Sequence, residues 1–93
     1  MNINVTSTQF RMARAALGWT VRELAERSGV HRNTVTRIEA GEASHGPTLL
    51  AVQRTFEAAG IIFLKDGDQA DGGPGIRLAR PSSEGLQRPF EQG

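Results

Sequence analysis

With 93 residues, 38% hydrophobic and 5% aromatic, the chain has apolar surface for one small domain with a modest core and too little for two. The absence of cysteine excludes disulfides and thiolate metal centres, and no apolar run approaches the length that spans a bilayer. The net charge of +1 is low for a protein that binds a polyanion, but it is unevenly shared: residues 1–60 carry seven Arg against five Glu, whereas residues 61–93 carry four basic against five acidic side chains.

The N-terminus, MNINVTSTQF, lacks the basic start and apolar centre of a signal peptide, so a soluble cytoplasmic protein is expected. Residues 1–5 alternate Ile3 and Val5 with polar side chains and read as a loose arm, with a short strand as the alternative. Thr6, Ser7 and Gln9 offer cap and capping-box chemistry for a first helix, in which Phe10, Ala13 and Leu17 share one face before Gly18 ends it. Arg14 lies one residue from that stripe, at the edge of the core, where a charge needs a partner. Glu39 is the candidate. Trp19 reads as an apolar plug at the helix junction, because base-stacking platforms usually present several aromatics on an open face.

The next stretch, TVRELAERSGVHRNTVTRIEAG over residues 20–41, reads as helix, tight turn, helix. Thr20 and Glu23 form a capping-box pair, and Val21, Leu24, Ala25 and Ser28 recur along one face. Gly29 supplies the positive φ of a sharp turn, Val30 sits beneath it, and Val35 with Ile38 gives the inward stripe of a second helix that ends before Gly41. Arg32, Asn33, Thr36 and Arg37 then face outward. Their side chains can bond base edges in a major groove, whereas Thr34 and His31 near the helix N-terminus suit phosphates. The bland alternative is a solvated polar face on a domain that binds protein.

After the loop EASHGPT, Pro47 is placed at the first position of a fourth helix with Gly46 at its cap, and Leu49, Val52, Phe56 and Ala59 form its inward stripe up to Gly60. The period then changes. Ile61, Ile62, Phe63 and Leu64 form a run too short for a helix, and Gly75, Ile76, Arg77 and Leu78 form a second run after a polar, Gly-rich loop. The expected structure is an antiparallel hairpin over residues 61–79. An isolated hairpin is marginal in water, so it must pack on the helices or pair with another chain, and residues Ile61, Ile62, Phe63 and Leu64 are the expected dimerisation strand. From residue 80 the chain reads as a disordered tail.

Other chemistry is poorly supported. Arg11, Arg22 and Arg54 are candidate DNA-backbone contacts or simply solvated charges. His31 and His45 have no Cys or carboxylate cluster around them, so no metal is expected. In DGDQADGG, Asp66 and Asp68 match the start of a calcium loop, but Ala70 and Arg77 stand where ligands are needed. GGPG lacks the strand-to-helix context of a phosphate cradle. No catalytic constellation stands out, so neither an enzyme nor a cofactor is expected.

The span from Phe10 to Gly60, above all LGWTVRELAERSGVHRNTVTRIEAGE, resembles the helix-turn-helix domain of the phage-repressor and Cro-like, or xenobiotic-response-element, family of bacterial regulators. Leu24, Ala25, Gly29, Val35, Ile38 and Glu39 carry the resemblance. It implies a compact helical DNA-binding domain, commonly dimeric, that acts as a transcriptional regulator or as an antitoxin repressing its own operon. It also implies a structural ion pair between Arg14 and Glu39. Three departures stand out. Val21 occupies the place where many members bond a phosphate through Gln, which leaves the Val21 N–H and the Thr20 hydroxyl for that contact. His31 replaces the usual Ser or Thr cap, and a hairpin stands where a fifth helix is usual.

The fold expected is therefore mainly α: a four-helix Cro/repressor-like helix-turn-helix domain over residues 1–60 followed by a C-terminal β-hairpin. The expected function is a homodimeric repressor reading a palindromic operator in double-stranded DNA, nucleoid-associated when bound. The alternatives are an antitoxin with a toxin as protein partner, or a protein-interaction adaptor without DNA binding.

Overall fold

Each helix begins and ends where local chemistry dictates. The computed structural model describes residues 5–80. Thr6 opens α1 (Ser7–Leu17): its hydroxyl accepts from the Gln9 N–H at 3.1 Å, and Gln9 Oε1 accepts from the Thr6 N–H at 2.8 Å. Gly18, at φ 68°, ends that helix in the left-handed conformation that a side chain would strain. The same reciprocal device opens α2 (Val21–Ser28), with Thr20 Oγ1 accepting from Glu23 N–H at 3.0 Å and Glu23 Oε1 accepting from Thr20 N–H at 2.7 Å.

After α3 (Arg32–Glu39), α4 (Gly46–Ala58) starts one residue earlier than the sequence suggested. His45 is its N-cap and Pro47 its second residue, which is harmless because neither of the first two positions has an intrahelical acceptor for its N–H. Ala59 is the C-cap and is exposed, so the inward stripe of α4 ends at Phe56 rather than extending to Ala59.

The core draws one or two residues from every helix and closes with the hairpin. Phe10, Ala13, Leu24, Val35, Ile38, Val52, Phe56 and Ile61 are all buried. Phe56 stacks on Phe10 with ring centres 6.1 Å apart, and Phe63 meets both rings edge-on at 5.7 and 6.1 Å. Hairpin and helices therefore share a single core. Helix α1 also touches α3, α4 and β2.

The hairpin pairs β1 (Ile61–Leu64) with β2 (Gly75–Leu78), antiparallel, with Ile61 opposite Leu78 and Phe63 opposite Ile76. Residues opposite one another share a face, so Ile61, Phe63 and Ile76 pack toward the helices while Ile62 and Arg77 face away. One buried amide locks this hairpin to α1. The Gln9 side chain is 2% exposed, and its Nε2 donates to the carbonyls of Leu64 at 2.7 Å and Gly75 at 2.8 Å. With Oε1 already engaged by Thr6, every part of the amide is used, as burial demands.

The expected arm lies outside the described residues except for Val5, which packs against the core. The expected tail lies outside them except for Arg80. Among the described residues, no helix is long and apolar enough to cross a membrane.

Candidate nucleic-acid interface

The connection between α2 and α3 is built from three residues. Gly29 takes φ 76° and its N–H returns to the Ala25 carbonyl at 2.9 Å, which ends α2 and reverses the chain. Val30 then turns its half-buried side chain into the core while its N–H bonds Ser28 Oγ at 3.2 Å. His31 caps α3: its Nδ1 accepts from the Asn33 N–H at 3.1 Å.

Helix α3 has two opposed faces. Val35, Ile38 and Glu39 are buried, while Arg32, Asn33, Thr36 and Arg37 are all exposed. The exposed four fall in two adjacent rows of i and i+4 spacing, 32 with 36 and 33 with 37, and so form one continuous strip. Thr36 donates its hydroxyl proton to the Arg32 carbonyl at 3.0 Å, which leaves an acceptor oxygen and a methyl group to face outward. Neither Arg32 nor Arg37 forms an ion pair with a described residue. Two unpaired guanidiniums, an amide and a threonine supply the donor and acceptor types that base edges match.

The far end of this helix is anchored to α1. Arg14 Nε and Nη2 donate to the two Glu39 carboxylate oxygens at 2.7 and 2.9 Å, and Nη1 donates to the Trp19 carbonyl at 3.1 Å. The bond to Glu39 is the largest influence on Arg14 and raises its pKa above the ordinary arginine value, with burial opposing and the carboxylate's charge adding. Arg11 adds a second tie, donating through Nη1 to the Glu39 backbone carbonyl and through Nη2 to Thr8 Oγ1 at 3.1 Å. By sequence, Arg11 suits either a phosphate contact or a solvated charge. Its engagement with α3 was not visible, because nothing local marks a partner 28 residues away.

The candidate phosphate contacts are less uniform. At the start of α2, the Thr20 N–H donates to Glu23 Oε1 and the Thr20 hydroxyl oxygen accepts from the Glu23 N–H, which leaves the hydroxyl proton to offer to a phosphate, although the Glu23 carboxylate adds negative charge nearby. The Val21 side chain packs against the core, so its contribution would be its backbone N–H. His31 is exposed, whereas Thr34 is half-buried. Arg22 is exposed beside Glu26, at 3.9 Å.

Other singled-out residues take structural places. Trp19 is half-buried and stacks on Phe56 at 5.7 Å and 17°, with the Arg27 guanidinium 4.5 Å from its ring centre. Arg54 is exposed on α4. Of the four residues of the expected dimerisation strand, Ile61 is buried in the core and Phe63 packs against it, Leu64 is half-buried, and Ile62 is 41% exposed. Among the described residues, no cluster of three or more His, Asp or Glu is arranged to hold a metal.

Residues 10–56 of the chain match the model of the Helix-turn-helix family. The matched span runs from the first buried aromatic of α1 to the last buried aromatic of α4 and contains the whole exposed strip. The chain is also similar to an uncharacterized HTH-type transcriptional regulator of Methanothermobacter thermautotrophicus strain Delta H, with 41% identity over 68 residues, covering 68% of this chain and 96% of the relative.

Proposed function

The chain belongs to the helix-turn-helix family of DNA-binding regulators, and from that membership we propose that it is a sequence-specific transcriptional repressor that binds DNA as a homodimer. Helix α3 would lie in the major groove, with Arg32, Asn33, Thr36 and Arg37 toward base edges and His31 and the first turn of α2 toward phosphates. The observation that carries this reading is the unpaired strip on α3. Four exposed side chains of base-reading type stand on the helix after the motif turn, and Glu39 at its end is clamped by α1.

The low charge supports the dimeric form. With a net charge of +1, one copy neutralises few phosphates, whereas two copies double the contacts on a two-fold symmetric site with half-sites roughly 34 Å apart.

Selection of bound sequences from random duplex DNA, repeated with Arg37→Ala, tests the proposal. A base contact predicts a two-fold symmetric consensus in which Arg37→Ala relaxes one position per half-site by about 1–3 kcal/mol. No enrichment over random duplexes would rule the reading out. Enrichment with uniform weakening in Arg37→Ala would reassign that arginine to phosphate.

A further inference from the structure

We infer that the second copy joins at the outer edge of β1, in an antiparallel pair of β1 strands centred on Ile62; this rests on the dimeric reading above. The hydrogen-bond parity of the hairpin sets the geometry. Ala79 N–H donates to the Gly60 carbonyl at 2.7 Å, in the register that places Ile62 opposite Arg77. Alternation along an antiparallel ladder then turns the backbone groups of Gly60, Ile62 and Leu64 toward β2, and those of Ile61 and Phe63 outward. None of the outward groups is bonded by a described residue.

A two-fold axis can satisfy all of them at once. Pairing Ile61 with Phe63 of the partner subunit, and the reverse, forms four backbone hydrogen bonds. It also places Ile62 opposite Ile62 of the partner subunit, at the non-hydrogen-bonded site where side chains approach most closely. Ile62 is one of the two large apolar residues that the hairpin leaves exposed, at 41%. Its own copy would cover it.

The other edge of the hairpin carries the second exposed apolar residue, Leu78 at 57%, but its charge opposes pairing. The same construction on β2 uses the outward groups of Ile76 and Leu78 and sets Arg77 directly opposite Arg77 of the partner subunit, a like-charge contact. Edge strands are commonly guarded against pairing by charge and proline, and β2 carries Arg77 within it and Pro74 just before it. Strand β1 carries neither. Four residues per copy are a small contact beside the roughly 800 Å² per partner of a standard interface. The dimer should therefore depend on concentration and tighten on a two-half-site duplex.

Because the chain has no cysteine, single-cysteine variants of the full chain report the contact directly. Ile62→Cys, Arg77→Cys and, as an exposed control on α1, Ala16→Cys would be oxidised at matched concentrations while sedimentation measures the oligomeric state of the unsubstituted chain. Ile62→Cys should form the covalent dimer at least about tenfold faster than either other variant, since pairing makes its reaction effectively intramolecular. A dimer in sedimentation with no such preference, or with Arg77→Cys fastest, would overturn the β1 pairing and leave the dimeric reading standing. A chain that stays monomeric both free and on its selected duplex would overturn both.

Discussion

Glu39 accepts from two arginines by two different routes, its carboxylate taking Arg14 and its backbone carbonyl taking Arg11. Its side chain is 9% exposed and that of Arg14 is 27%, so the pair is sheltered at the carboxylate end. Glu39→Ala should therefore destabilise the fold by on the order of 3 kcal/mol in urea denaturation, because the guanidinium keeps only the Trp19 carbonyl. Replacing both partners, as Arg14→Met with Glu39→Leu, should cost less than Glu39→Ala alone; an equal or greater loss would mean the pair is not the source of the effect. Hydrogen bonding to Glu39 raises the Arg14 pKa, so the arginine's share of this stability is present below the ordinary arginine range and fades only as pH rises above it. His31 gives a second test. His31→Ala should lose about 1 kcal/mol with the cap, whereas His31→Ser, which can cap through its hydroxyl, should retain most of it. Thermal denaturation and the exchange rate of the Asn33 amide would distinguish the two variants.

The elements show which structural causes are local and which are not. Both capping boxes, the glycine turns and the limits of the two strands could be read from the sequence, because each depends on residues within three or four positions. The exposed strip of α3 was legible for the same reason, since an inward Val35 and Ile38 fix what must face out. The double role of Gln9 was not. Its amide reaches carbonyls 55 and 66 positions away, and no spacing rule marks such a contact. Gln9→Glu should be informative because a carboxylate can keep the Thr6 bond but cannot donate to Leu64 and Gly75. The expected loss is about 2 kcal/mol, concentrated in the hairpin. Hydrogen exchange should then quicken at β1 and β2 while α2 and α3 hold their protection; uniform quickening would argue against a hairpin-specific role.

At the scale of the whole molecule, modest charge and small size would make assembly and DNA binding interdependent if the chain dimerises as proposed. In the proposed dimer, Ile62→Asp should weaken binding to a two-half-site duplex by far more than binding to a single half-site, as titrations of the two duplexes would show. Loss of equal size on both would point to damage within one copy. The salt dependence gives a count of phosphates. If Arg22 contacts the DNA backbone, Arg22→Ala should lower the slope of log affinity against log salt by about 1 per copy, while an unchanged slope would leave it a solvated charge paired with Glu26.

Within α1, Gln9 holds the hairpin while Arg11 and Arg14 hold the end of α3, so the three residues that fix the two working parts of the molecule lie within about a turn and a half of one helix. In a dimer joined at β1, α1 then serves as a rigid spacer between the symmetry axis and each reading helix. In such a dimer its length and twist would set the distance between half-sites that the protein accepts.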